Sequence, residues 1–163
     1  MTFTEIFVAI EGAPFAKGIR EGASLFPWIE SVHVLAVVIV VGMVAVMDLR
    51  LIGLSNPSQS VRKLLADALP YTWAAFVVAV VSGFLLFSSS AVSYSENWPF
   101  RVKAIALILA GANMFLFHFT TYRSAHLWDE LTHPPIRARI AGIVSVTCWV
   151  LVVAAGRWIG FAT

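Results

Sequence analysis

Apolar positions in this chain gather into four long runs instead of the short periodic stripes of a water-soluble fold. The first run goes from Ser31 to Met47 and continues past Asp48 and Arg50 to Leu54. The second, Leu69 to Phe87, carries no charge; the third, Ala104 to Phe119, is entered through Arg101 and Lys103; the fourth, Ile140 to Gly156, is again uncharged. A helix needs about 20 apolar residues to cross the hydrocarbon core, and each run approaches that length once its flanks are added. Lipid leaves no partner for free backbone N–H and C=O groups, so the runs read as helices and not as strands. The pattern predicts spans over about 28–54, 69–88, 100–122 and 137–159. Short connections between them predict an all-α, integral membrane, up-down four-helix bundle, one domain across residues 1–163.

Residues 55–68, 88–99 and 123–139 read as the connections. Pro70 and Pro99 suit helix starts, where a missing N–H costs nothing, and Pro134 and Pro135 should end any continuation of the third span. Trp28, Trp98, Trp128 and Trp158 fall near run ends, as an aromatic belt requires. Ahead of the first span, residues 2–26 read as an interfacial amphipathic helix. Thr2 and Glu5 make a capping box there, Phe3, Phe7 and Ile10 share a face, and Pro14 and Gly18 break or bend the later part of the segment. Small residues recur at contact spacing: Ala75, Ala79 and Gly83; Ala106 and Ala110; Ala138 and Gly142. They suit close packing within the bundle or, alternatively, a homo-oligomer seam.

Composition sharpens this reading. Sixty per cent of residues are hydrophobic and 12% charged, against about 45–50% and about 25% in soluble domains, and mean hydropathy is +0.86. The charges are too few to cover a water-facing surface, so a soluble protein is excluded. The net charge of +2 sits between apolar runs and points to lipid headgroups and cofactors, not to nucleic acid. The one cysteine, Cys148, lies within a span and reads as a small buried hydrophobe. The first eleven residues carry Glu5 and Glu11 but no Lys or Arg, unlike a cleaved signal peptide. With the N-terminal side called A, five basic residues fall there (Lys17, Arg20, Arg101, Lys103, Arg157) and six on side B (Arg50, Arg62, Lys63, Arg123, Arg137, Arg139). The positive-inside rule then places side B in the cytoplasm and both termini in the periplasm of a bacterial inner membrane.

Ionisable side chains within spans are costly and mark functional sites. They concentrate on the first and third spans, while the second and fourth carry almost nothing. His33 to Asp48 and Lys103 to His118 are equal intervals of fifteen residues, each roughly 22 Å of helix. In an up-down bundle these two helices run in the same direction, so two polar layers are expected. Layer A holds His33, Glu30, Arg101 and Lys103; layer B holds Asp48 and His118 with Tyr122 and Arg50. Lys103, Leu107, Ala110, Met114 and Phe117 form one stripe, with His118 beside it, that should face the interior.

Layer A has the chemistry for a tetrapyrrole. His33 offers an axial nitrogen, Glu30 can orient its second nitrogen, and Arg101 and Lys103 can meet propionates. The plain structural alternative has the two cations reaching to headgroups and His33 bonding a backbone carbonyl. In layer B, Asp48 and His118 suit a proton relay, a polar pair or a second ligand. Met43 and Met114 offer thioethers, so that His33 and His118 become ligands in a copper-handling alternative. His126, Glu130 and His133 fall in the third connection, where a solvated face explains them. Gly-rich phosphate loops, Ser/His/Asp sets and CxxC motifs are absent.

The string EsvHvLAvviVvG…DLRLIGL, from Glu30 to Leu54, with LPYTWAAFVVAVVSGFLLF and NWPFRVKAIALILAGANMFLFH, resembles a family of uncharacterised four-helix bacterial inner-membrane proteins over nearly the whole chain. A more distant likeness goes to the membrane domain of copper-resistance D-type proteins and to HemJ-type protoporphyrinogen oxidase. The latter has a His in an early span and a Lys opening a later one, as His33 and Lys103 do here. This chain lacks the Lys before that His and the tyrosine-rich stretch after it, so the likeness implies a haem-like ligand without implying a reaction. The sequence thus points to a b-type haem protein serving electron transfer with a membrane or periplasmic redox partner. The alternatives are a copper-handling protein and a non-catalytic assembly or anchoring subunit.

Overall fold

The structure, a computed structural model, describes residues 2–55, 60–129 and 134–162. These residues form helices and no strand, in the order α1 (Phe3–Glu11), α2 (Pro14–Glu21), α3 (Leu25–Ile52), α4 (Val61–Ser88), α5 (Ala91–Glu96), α6 (Trp98–Phe119) and α7 (Ile136–Trp158), with 3-10 turns at Tyr122–Leu127 and Ile159–Phe161. Four of the helices, α3, α4, α6 and α7, are long and apolar enough to cross a membrane. Their outward residues, among them Val34, Leu35, Val38, Val77, Ile108, Leu116 and Val150, are exposed hydrophobics. In water such a surface would be prohibitive; in lipid it costs nothing. The chain is a multi-pass membrane protein built as a four-helix bundle.

The expected amphipathic segment forms two short helices. Thr2 and Glu5 close the capping box around α1, and Pro14 occupies the first turn of α2, where its fixed φ is already helical. Both helices lie on side A. Phe7 meets Phe87 edge-on and Phe15 lies against Phe84. Arg20 donates to the Ser89 carbonyl at 3.1 Å and pairs with Glu11 at 3.4 Å. The second Glu11 oxygen accepts from the Val92 amide at 2.9 Å, at the start of α5.

The helices are not packed equally. Helix α3 packs along α4 and α7, and α7 packs along α6, whereas α4 and α6 barely touch among the described residues. Gly142 explains how close α3 and α7 come: a Cβ there would lie 3.0 Å from the Asp48 carbonyl and 3.2 Å from the Leu51 Cβ. At the side B end a core of Met47, Leu51, Val61, Leu64, Leu65, Phe117, Ala125 and Trp128 closes the bundle. Trp28, Trp98 and Trp158 are exposed, as a belt requires, but Trp128 is buried in this core and is not a belt residue.

Residues 61–68, expected as connection, are helix, and Pro70 lies inside α4 instead of opening it. The cause is a cap from far along the chain. Asp129 accepts from the Ser60 hydroxyl at 2.7 Å and from the Arg62 amide at 2.9 Å, while Ser60 itself caps the Lys63 amide. Orphan N–H groups in the first turn are thereby satisfied, and the helix starts at Val61. Pro70 then costs one bond, to the carbonyl of Ala66, which sits on the exposed side.

Burial opposes ionisation of Asp129, but the Ser60 hydroxyl, the Arg62 and Val61 amides and the Arg62 charge outweigh it and hold this carboxyl below its ordinary value. A lowered value means that the carboxylate contributes fully above the unfolded value of about 3.9. That contribution is lost as pH falls through the folded value. Asp129→Asn is therefore expected to cost about 1 kcal/mol at neutral pH and to reduce the loss of thermal stability below about pH 4. Melting curves of both proteins from pH 7 to pH 2 check this; parallel acid profiles would contradict it.

Candidate functional site

The splay of α4 from α6 leaves a cavity of about 280 Å³ inside the bundle, with walls from all four long helices. Lys103, Leu107, Ala110, Met114, Phe117 and His118 all line it, so the α6 stripe faces inward as its spacing predicts. His33 and Asp48 line it from α3. The two polar layers therefore exist as the two ends of one largely apolar chamber. Trp73 and Val80 of α4 and Leu107, Gly111 and Met114 of α6 line the chamber and are also exposed. They rim a mouth that opens sideways, toward the acyl chains.

At the side A end, His33 Nδ1 lies 3.0 Å from the Ser82 Oγ. Ser82 donates its own proton to the Val78 carbonyl at 2.6 Å, so its Oγ is left to accept from the imidazole, and the ring also bonds the Ala79 backbone carbonyl, as the plain structural alternative expects. A Cβ on Gly83 would sit 2.9 Å from His33 Cε1; only glycine lets the ring lie against α4. Lys103 reaches across from α6 and extends over Gly156 of α7, where an added Cβ would meet Nζ at 3.5 Å. The Lys103 and Glu30 charges both act on the His33 ring. Glu30 is itself exposed, and Ser82 holds the Nδ1 position that the sequence suggested for Glu30. Burial first, and then the Glu30 charge, push the nearby Tyr94 phenol up from its ordinary value. Arg101 is exposed and gives its Nε–H to the Ser95 carbonyl at 2.8 Å; it does not line the chamber.

At the side B end the Asp48 side chain is 5% exposed, with the Ser145 hydroxyl of α7 beside it. Its Oδ2 has no hydrogen-bond partner among the described residues. His118 donates Nδ1–H to the Met114 carbonyl at 3.0 Å and lies 5.3 Å from the Tyr122 ring. Asn113 donates to the Ala141 carbonyl at 2.9 Å and ties α6 to α7. Asp48 and His118 thus share the chamber, each beside a different neighbour. Arg50 is fully buried and donates to the Asp129 carbonyl at 3.4 Å, so it braces the third connection outside the chamber lining. Met43 packs against the side B core and does not line the chamber, whereas Met114 does. No group of three His, Cys, Asp or Glu side chains converges as a metal site among the described residues. His126 is exposed, and Glu130 and His133 lie outside the described residues.

Sequence reasoning missed Ser82 and Ser145, because the second and fourth spans look featureless. The available signal was a hydroxyl inside an uncharged span; in Ser82 it stands next to Gly83, where a small residue makes room for a neighbour's ring.

The model of a family of unknown function, DUF6644, matches residues 18–162. Neither the curated proteins nor the solved structures contain a significant match. The expected uncharacterised family is thus found, with nothing to support the copper-resistance and HemJ-type likenesses.

Proposed function

The chain belongs to this family of unknown function, and we propose that within it the chamber binds a flat, lipid-soluble cofactor with an acidic edge, a b-type haem, in the service of electron transfer. One observation carries the reading: an imidazole held against α4 by Ser82 shares an apolar chamber end with a lysine from α6. A haem ligand needs an imidazole nitrogen lone pair, a partner on the other nitrogen to aim it, and a cation for a propionate. His33, Ser82 and Lys103 supply these in order. Gly83 and Gly156 leave the ring and the ammonium clear of neighbouring side chains. Held by His33 and Lys103, a haem would supply one-electron chemistry toward a membrane or periplasmic partner. The chain itself holds the ligand ring in one orientation, keeps bulk water out with apolar walls, and places a positive charge by the acidic edge. The excess of basic residues on side B supports both termini lying in the periplasm of a bacterial inner membrane.

A reduced-minus-oxidised absorption spectrum tests the reading after expression with ample haem. A Soret and an α band are expected, at about one haem per chain. His33→Ala should remove both bands while the protein still elutes as one species in detergent. Purified protein without a Soret band, or with an unchanged band in His33→Ala, would overturn it.

A further inference from the structure

The other end of the chamber is built for a ligand of opposite charge. Side-chain donors there are turned onto backbone carbonyls: Thr72 to Ala68 at 2.9 Å, Asn113 to Ala141 and His118 Nδ1–H to Met114. Beside the Ser145 hydroxyl, the lining residues that still have acceptor atoms to offer are Asp48, Asn113 and His118. Asp48 is 5% exposed, and its Oδ2 lacks a partner among the described residues. A buried carboxyl oxygen left this way is costly, and the Ser145 hydroxyl beside the group leaves Oδ2 unmet. Arg50, two positions on, falls on another side of α3 and is turned to the Asp129 carbonyl. Lys103, the cation on the chamber wall, stands at the far end, about 22 Å away along the helix axes.

An acceptor set around a buried carboxyl, in an apolar chamber, selects a ligand that brings N–H donors and a positive charge. The walls between the two ends add Trp73, Phe76 and Trp149, whose faces attract cations. The access route is set by the mouth between α4 and α6, which opens on lipid and not on water. A ligand using it must first partition into the bilayer. We propose that the Asp48 end of the chamber binds the protonated head of a lipophilic amine, which enters sideways from the membrane between α4 and α6. The Asp48 carboxylate is its counter-ion, Asn113 and His118 accept its N–H groups, and the aromatic side chains hold its body. Lys103 repels the same head from the side A end, so the two ends of the chamber sort ligands by charge. This site lies in the same chamber as the haem reading but rests on different residues and a different chemistry.

Ethidium, an aromatic cation with amino groups, serves as the probe. The protein is reconstituted in nanodiscs of neutral lipid, and binding is read from the rise in ethidium fluorescence and the quenching of tryptophan. Saturable binding is expected. Asp48→Asn, which keeps the side-chain volume, should weaken it by about thirtyfold or more, and Asp48→Glu should restore part of it. An anionic naphthalene sulfonate of similar size should fail to compete. Equal ethidium affinity in Asp48→Asn, with both proteins monodisperse and melting alike, would overturn the proposal by showing plain partitioning. Displacement of ethidium by the anionic dye would overturn it as well, since an unselective apolar slot would then explain the binding.

Discussion

Arg50→Ala is expected to destabilise the protein by roughly 3–5 kcal/mol, the largest single-residue effect in the bundle. Arg50 is the largest side chain that the fold buries completely among the described residues. It sits near the end of α3, shielded from headgroups and water, and its guanidinium bonds the Asp129 carbonyl. Asp129 in turn caps α4. Truncation therefore acts twice. It opens a void at the side B end, and it releases the segment whose carboxylate starts the neighbouring helix. Arg50→Lys should fall between, because it keeps the charge but fills less of the buried space than the guanidinium does. Thermal unfolding in detergent, followed by intrinsic tryptophan fluorescence, measures both. A melting temperature for Arg50→Ala within about a degree of the native value, where a loss of 1 kcal/mol alone moves it by several degrees, would show that the side B end is held together by apolar packing alone.

Gly83→Val is expected to reach the functional site directly, through the ring that lies against α4. Its Cβ would come within 2.9 Å of His33 Cε1, so the ring must leave its place against the helix. The Nδ1–H bond to Ser82 goes with it. The packing cost should be about 1–3 kcal/mol, the usual penalty for overfilling a tight contact. The larger effect falls on the histidine: without Ser82 its tautomer is no longer set. In ¹⁵N-histidine NMR spectra the His33 Nδ1–H resonance should disappear or begin to exchange with water, and any Soret band should fall to the level of His33→Ala. Retention of a slowly exchanging Nδ1–H signal in Gly83→Val would mean that the ring is held by something other than the α4 groove.

The side A half of this site was largely legible in the chain and its partners were not. His33 and Lys103 stand out because charge is rare in the spans, and equal fifteen-residue intervals put them at one depth. Arg101 stands out for the same reason, yet it faces outward, bonded to Ser95. Two positions before Lys103, it lies on another side of the helix. Ser82 and Ser145 could not be singled out, since a lone serine in an apolar run satisfies itself on its own helix backbone as often as it serves a neighbour. The start of α4 was hidden for a related reason. Local signals favour Pro70, while the deciding cap, Asp129, lies 69 positions beyond Ser60.

By itself the sequence determined the environment and the elements. Four apolar runs of spanning length leave the backbone no choice but helix in lipid, and the spacing along α6 sets which of its faces turns inward. Tertiary structure alone decided the order of helices around the bundle. Apolar faces are interchangeable in a medium as apolar as they are, so nothing in their composition says that α3 should sit between α4 and α7 while α4 and α6 stand apart. Glycine and alanine seams settle that by how closely backbones can approach. The same choice opens the chamber, points its mouth at the membrane, and leaves Asp48 at one end and His33 at the other.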